Sequence, residues 1–295
     1  MKEVEKRHVW GRQHKVVEEF YNVFALDKNH VWAVTGKMSI GGEGSSIYFF
    51  DGSSWKKQYE ADVELYHISS LDASHAWAVG GRIILGGEGN IYFFDGSSWK
   101  KQYRVEQALF AIAALDANHV WSVGFGTVYF FDGSSWKKQF EADELFNTVA
   151  VLDKNRAWAA GGKVILRSEG SIYFFNGTLW KKQYRLGEKV DESFNKLYVL
   201  DENHIWAVGS GGGIYFFDGS SWEKEYKLRE GILGVAGADK NHVWAVGFGG
   251  FYFFDGSSWK KQYNPGEALC DIAVLDAENA WAVGRDGGIY YLSKK

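Results

Sequence analysis

The chain has 295 residues with 33 basic and 37 acidic side chains, and its formal net charge of −4 offers no positive field for nucleic acid or an anionic membrane. Its apolar runs are far shorter than the ~20 residues of a membrane span, and the charged start MKEVEKRHVW has no apolar signal-peptide core, which leaves the compartment open. The single cysteine, Cys270, excludes intrachain disulfides and cysteine-based zinc sites.

The first predicted element is a strand around Trp10 (RHVWGRQHK, 7–15) that no companion strands precede. After it, Trp-Ala-Val-Gly or a close variant recurs seven times, each copy followed by a run like Tyr-Phe-Phe. The tryptophans of this series are Trp32, Trp77, Trp121, Trp158, Trp206, Trp244 and Trp281. A second series, which completes the 14 tryptophans, is Trp10, Trp55, Trp99, Trp136, Trp180, Trp222 and Trp259.

One complete repeat, LFAIAALDANHVWSVGFGTVYFFDGSSWKKQF (109–140), contains four short runs typical of β-strands. We label them A to D: IAAL (112–115), VWSVG (120–124), TVYFF (127–131) and SWKKQF (135–140). Asp132-Gly133 is a strong turn signal between C and D, and the lysines of strand D suit an exposed edge. Four such strands recurring seven times predict a seven-bladed β-propeller.

The two ends of the chain complete each other. The last segment, IYYLSKK (289–295), lacks a following Trp strand, which the N-terminal segment supplies. We therefore expect one all-β domain over residues 1–295, with four antiparallel strands per blade. Residues 1–15 should form the outermost strand of the last blade and close the ring.

The stretch LDANHVWSVGFGTVYFFDGSSW (115–136) resembles Asp-box (BNR-type) propeller repeats, especially those of the photosystem II stability and assembly factor family. It is also similar to the WAVG…DGSSW repeats of bacterial surface and secreted proteins. The resemblance covers essentially the whole chain and implies a propeller fold. It departs from the Asp-box pattern in the spacing around Asp51, where that family places Ser or Thr two residues earlier and Trp one residue later. In such families the Asp turn is structural.

Length variation between repeats is confined to the D–A and B–C connections. The second-series Trp precedes the next repeat's Asp by 17 residues, except between Trp180 and Asp201, where the gap is 21. Three B–C connections are long, at 38–46, 83–90 and 164–171. Both kinds of connection lie on one face of a propeller, which we call the loop face, and A–B and C–D turns lie on the opposite turn face. Because variable loops on a rigid scaffold usually carry binding sites, we expect a partner on the loop face.

Two sets of residues are candidates for that binding. The long connections carry charged tips that predict partner contacts: Glu43, Glu88, Arg167 and Glu169. The first residues of strand A differ most between repeats and predict a polar ligand site at the channel mouth: Tyr21, Asn22, Tyr66, His67, Asn147, Asn195, Lys196 and Asp271. Solvated hairpin tips and a water-filled channel mouth are the alternatives.

Other motifs point to structure rather than chemistry. The histidines before the first Trp series are expected to pack as turn residues, and the repeated DGSS segments are expected to form turns. Acidic D–A connections could attract a cationic peptide or a metal, although such charge usually marks a solvated surface. They comprise Glu60, Asp62 and Glu64, then Glu141, Asp143 and Glu144, then Glu188, Asp191 and Glu192. We predict no catalytic residue, no metal site and no cofactor.

Three functions remain open from the sequence. The first is a non-catalytic, monomeric scaffold that recognises a protein or peptide on the loop face. The second is a carbohydrate-binding lectin in which near-identical repeats give several weak, equal sites. The third is a glycosidase-like enzyme at the channel mouth, which needs a convergent pair of carboxylates.

Overall fold

The computed structural model describes residues 8–36, 44–83, 87–163, 169–187 and 190–294, and all regular elements in these ranges are β-strands. The first repeat forms a sheet of β2 (Glu19–Asp27), β3 (His30–Gly36), β4 (Ser45–Phe50) and β5 (Trp55–Ala61). The second forms a sheet of β6 (Leu65–Asp72), β7 (His75–Gly81), β8 (Gly89–Phe94) and β9 (Trp99–Val105). In each sheet the antiparallel order follows the chain, as strands joined by short turns favour.

The third and fourth repeats share one six-stranded sheet. Its strands, in order, are β10 (Leu109–Asp116), β11 (His119–Phe131), β12 (Trp136–Asp153), β13 (Arg156–Lys163), β14 (Glu169–Phe175) and β15 (Trp180–Arg185). Three four-stranded sheets complete the fold. They are β16 (Phe194–Asp201), β17 (His204–Gly209), β18 (Gly213–Phe217) and β19 (Trp222–Lys227); then β20 (Ile232–Asp239), β21 (His242–Gly247), β22 (Gly250–Phe254) and β23 (Trp259–Tyr263); then β24 (Leu269–Val274), β25 (Ala280–Gly284) and β26 (Gly288–Lys294) with β1 (His8–Lys15).

The described part of the chain therefore contains six sheets, and the expected seven-bladed arrangement of seven separate four-stranded sheets is wrong. Two long strands account for the difference. Strand β11 runs through the two strands expected at 120–124 and 127–131, and β12 continues from the outer strand of the third repeat into the inner strand of the fourth. The pairing of Phe125 with Leu145 carries the hydrogen-bonded ladder across these connections. The fold is an all-β β-propeller.

The N-terminal strand lies at the outer edge of the last sheet. Strand β1 pairs antiparallel with β26, with His8 opposite Lys294 and Lys15 opposite Gly288. The inner strands contact one another in the cyclic order β2, β6, β10, β12, β16, β20, β24 and back to β2. Because no covalent bond joins the two ends, side-chain packing and this last ladder hold the ring shut.

The hydrophobic core lies between neighbouring repeats. Between the first two, Trp32, Val34 and Ile47 of one repeat pack against Ile68 and Trp99 of the next. The two repeats that share the six-stranded sheet pack in the same manner. The first-series tryptophans are at most 2% exposed and the second-series at most 8%, so both series belong to the core.

Candidate functional site

A cavity of about 290 Å³ lies on the axis of the ring, lined by residues of all the inner strands. Small or branched apolar side chains form most of its wall, including Ala25, Ala114, Val151 and Val274. Alternation along each inner strand explains this lining, because every second side chain turns into the cavity and the others enter the core between sheets.

Four of the predicted channel-mouth residues meet at the loop-face end of the cavity. Lys196 extends across the channel from β16, and its Nζ lies 3.0 Å from both Asp271 Oδ2 on β24 and His67 Nε2 on β6. Asn22 on β2 donates its side-chain N–H to the same Asp271 oxygen and accepts the backbone N–H of Ile68 at 2.8 Å. The structure thus brings these four residues together in a polar crossbar that spans the channel.

Burial shifts the pKa values of two crossbar residues, Asp271 and His67. The Asp271 side chain is only 3% exposed and that of Lys196 18%. Burial raises the pKa of the Asp271 carboxyl, although the Lys196 charge opposes this shift. Burial, followed by the neighbouring Lys196 charge, holds the pKa of His67 well below its usual value. His67 is therefore neutral at physiological pH and accepts a hydrogen bond from the Lys196 ammonium.

Tyr21 and Tyr66, two further predicted residues, lie on the loop-face side of the crossbar and form part of an aromatic strip. Their ring centroids are 5.8 Å apart, and Tyr66 is 5.6 Å from Phe110, which is 5.1 Å from Phe125. All four rings are half-buried. Gly36 makes room for the first ring, because a Cβ there would lie 2.1 Å from Tyr21 Cε2.

The strip was only partly predicted from the sequence. Phe110 occupies the same repeat position as Tyr21 and Tyr66, a signal that was available, whereas Phe125 comes from a B–C connection. Spacing alone does not show that this connection folds back over the start of strand A.

Asn147 and Asn195 lie on the other side of the channel mouth and bind backbone. The Asn147 side-chain amide donates to the Phe194 carbonyl oxygen at 2.9 Å, and that of Asn195 donates to the Ile232 carbonyl oxygen at 2.7 Å. Each asparagine thereby links its own inner strand to that of the next repeat. The structure does not bring them into contact with the crossbar.

The predicted loop-tip contacts are paired within the chain where the structure describes them. Glu88 forms an ion pair with Arg104, and Glu169 forms one with Arg185 at the equivalent place two repeats later. Both carboxylates lie at the base of a long B–C connection, where they join strand C to strand D. Glu43 and Arg167 lie outside the described residues.

The acidic D–A connections mostly serve a repeated structural contact. Tyr92 donates its hydroxyl hydrogen to Asp62, which also binds Lys101 at 3.1 Å. Glu192, 1% exposed, accepts the Tyr215 hydroxyl at 3.0 Å in the same arrangement. Related contacts join Glu18 to Tyr48 and Lys57, Glu144 to Lys182, and Glu267 to Tyr290. Glu188 lies outside the described residues.

The DGSS segments and the repeat histidines form turns, as expected. Asp51 Oδ1 accepts the backbone N–H groups of Ser53 and Ser54, both at 2.9 Å, and Lys56 binds its other oxygen. These hydrogen bonds, first that of Lys56, hold the pKa of Asp51 below its usual range. His30 packs on Trp32 with ring centroids 6.3 Å apart. These side chains therefore have structural roles in the turns.

A Trp–Gln–Trp link between neighbouring repeats was missed in the sequence analysis. Gln58 Oε1 accepts the indole N–H of Trp32 at 3.3 Å and of Trp99 at 2.9 Å. Gln13 joins Trp281 to Trp55 across the closure of the ring. The available signal was a glutamine three residues after most second-series tryptophans.

Within the described ranges, no group of three or more His, Cys, Asp or Glu side chains is arranged to hold a metal ion. A search of the same residues for a helix long and apolar enough to cross a bilayer finds none.

No protein-family model matches the chain, and no curated protein sequence matches it. Solved structures do match its fold. A structure described as YCF48 bound to D1 peptide superposes with a TM-score of 0.71 at 16% identity, covering 98% of this chain and 97% of the other. YCF48 from Cyanidioschyzon merolae gives 0.70 at 18%, covering 96% and 98%. The WD40 propeller domain of Doa1 gives 0.73 at 14%, covering 98% and 96%. At these identities the similarity shows the propeller fold.

Proposed function

We propose that this chain is a non-catalytic, monomeric scaffold, a single domain that binds a protein or peptide on its loop face. The observation that carries the proposal is the aromatic strip left half-buried beside the channel mouth. Exposed apolar residues on the same face support it: Val17, Ile83 and Phe248 are 98%, 55% and 49% exposed. The similar YCF48 structure is a complex with a peptide, which adds a precedent on the same fold.

Within the predicted site set, the proposal gives different roles to different residues. Tyr21 and Tyr66 would contact the partner, because their rings reach the surface of the mouth. Asn22, His67, Lys196 and Asp271 would act from beneath, as the crossbar that closes the channel behind the bound segment.

The two alternatives gain little support from the geometry. Glycoside hydrolysis needs two facing carboxylates, whereas Asp271 is the only carboxylate among the described cavity-lining residues and is bound to Lys196. A lectin with equal sites on each repeat would present the same exposed aromatic on every repeat. The tryptophans of both series are at most 8% exposed, and the tyrosines at one outer-strand position are exposed in three repeats, at Tyr103, Tyr226 and Tyr263.

Peptide selection with hydrogen–deuterium exchange tests the proposal. Peptides enriched from a random phage-displayed library should protect the loop-face connections at 61–65, 105–109 and 124–127. The turn-face segments at 51–54, 95–98 and 132–135 provide the internal control and should exchange unchanged. Protection confined to the turn face, or no enrichment over a heat-denatured sample, would refute the proposal.

A further inference from the structure

Two carboxylates stand beside the aromatic strip at equivalent places in the first two repeats. Glu19 begins β2 and Glu64 directly precedes β6, each two residues before a tyrosine of the strip. Glu64 Oε2 accepts the Tyr66 hydroxyl at 2.6 Å. Both residues are half-buried. Burial of Tyr21, followed by the charges of Glu64 and Glu19, raises the pKa of Tyr21.

Each of these carboxylates has an oxygen without a partner. Glu19 Oε2 and Glu64 Oε1 are shielded from water and accept no hydrogen bond within the described residues. An unmatched oxygen of this kind costs free energy that an incoming N–H donor would recover. Asp62 and Glu192 are instead bound to tyrosine and lysine side chains, and Glu144, which also keeps one unpartnered oxygen, binds Lys182 through the other.

The loop face already contains one guanidinium–aromatic contact. Arg285, in the last B–C connection, lies with its Cζ 5.3 Å from the ring centroid of Phe248. Aromatic faces attract guanidinium groups through the ring quadrupole, and carboxylates bind their forked N–H donors. The strip supplies both kinds of group together. Arg285 contacts Phe248 in a neighbouring repeat, and its charge also opposes the rise in the pKa of Tyr21, at the end of the strip away from Phe110.

From this combination we propose that the aromatic strip, with Glu19 and Glu64, is an arginine-recognition site for the peptide partner. The guanidinium stacks on Tyr66 and Phe110 and donates its hydrogen bonds to the unpartnered carboxylate oxygens, which turn outward to meet it. This inference rests on the proposed partner-binding function and specifies the chemistry of the partner.

The test uses a dye-labelled peptide with the sequence Arg-Gly-Arg-Gly, blocked at both ends, and a twin in which citrulline replaces arginine. Citrulline keeps the shape of the side chain and removes its charge. Fluorescence anisotropy with the full chain should show binding of the arginine peptide that is about ten-fold tighter than that of the twin. Binding should also weaken as the salt concentration rises. Equal affinity of the two peptides would overturn the inference.

Variants of the chain localise the effect. The double variant Glu19→Gln with Glu64→Gln should weaken binding about ten-fold, and Phe110→Leu should weaken it about two- to five-fold because an apolar side chain remains without the ring face. Asp143→Asn with Glu230→Gln is the matched control, since it also removes two charges, from exposed acids elsewhere on the loop face. If the control weakened binding as much as the variant at Glu19 and Glu64, the peptide would be attracted by the negative charge of the loop face in general and not by the proposed site.

The two proposals fail in different ways. If the selected library peptides protect the loop face but tolerate citrulline in place of every arginine, the scaffold function stands and the arginine site is refuted. If no peptide protects the loop face, the scaffold function itself fails. Thermal melting of each variant verifies the fold, and the citrulline comparison needs no variant of the chain.

Discussion

Lys196 is the residue that joins opposite walls of the central channel. Its ammonium contacts Asp271 on one side and His67 on the other, so three inner strands that are not all neighbours share one polar contact. Burying such a pair costs desolvation free energy that its mutual attraction only partly returns. The crossbar therefore specifies the geometry of the mouth more than it stabilises the chain.

Lys196→Met should show, through the pH dependence of stability, how far the Lys196 charge offsets the cost of burying the Asp271 carboxylate. The variant leaves the Asp271 carboxylate buried without its cation, and we expect a loss of about 3 kcal/mol at neutral pH. Burial raises the folded-state pKa of Asp271 above its ordinary value of 3.8, and removing the lysine raises it further. The contribution of Asp271 to stability is therefore fully present below that ordinary value of 3.8, and this contribution is lost as the pH rises through the folded-state pKa of the carboxyl.

Urea unfolding of the variant and the wild-type chain across the acidic range measures the effect. The gap between them should shrink as the pH falls, because protonated Asp271 no longer needs a cation. The double variant Lys196→Met with Asp271→Asn is the control and should recover most of the stability at neutral pH. A deficit independent of pH in the single variant would show that lost packing, and not charge, explains it.

At the scale of the elements, much of the fold was predictable and one part was not. Four strands per repeat follow from apolar runs, turn signals and the regular spacing of tryptophans. The single six-stranded sheet of the third and fourth repeats does not follow from the sequence. The connections of these two repeats have the same lengths as connections in other repeats, where the sheet ends. The six-stranded sheet depends on the pairing of Phe125 with Leu145, a contact between repeats that no local pattern encodes.

The candidate site could likewise be predicted only in part. Divergence between repeats pointed to the crossbar residues, because the pair of strand-A positions to which they belong changes from repeat to repeat while the positions before and after the pair stay apolar. The pairing of Lys196 with Asp271 was not predictable, since it depends on distances across a closed ring. Phe125 was missed for a similar reason, as its ring joins the strip only after β11 bends.

Gly126 makes that bend possible, and replacing it should destabilise the chain. The residue has φ of 67°, in the left-handed region, and a Cβ there would lie 2.1 Å from the Ala142 carbonyl oxygen. We expect Gly126→Ala to lower the free energy of unfolding by about 1–3 kcal/mol. Gly11→Ala is the matched control, because a Cβ on Gly11 meets nothing within 4 Å. Equal melting temperatures for the two variants would contradict a strained bend.

At the scale of the whole molecule, the ring depends on a strand that is first in the sequence and last in the sheet. Trp10 of β1 stacks on Phe251 at a centroid distance of 4.1 Å and meets Trp244 edge-on at 5.2 Å. Gln13 of the same strand receives the indole N–H groups of Trp55 and Trp281. One short segment thus joins both of its neighbouring repeats and contributes Trp10 to the core between the last two repeats.

Deletion of residues 1–15 should therefore lower the melting temperature and leave the remaining sheets folded. It removes the outer strand β1 and exposes the edge of β26, together with the apolar surface that Trp10 covers. A synthetic peptide of residues 1–15 should raise the melting temperature of the truncated chain, and the increase should grow with the logarithm of peptide concentration, since the peptide binds only the folded ring. The same peptide with Trp10→Ala should do so far less, because the strand ladder alone lacks the ring contacts that seat it. An unchanged melting temperature after truncation would mean that inner-strand contacts alone hold the propeller closed.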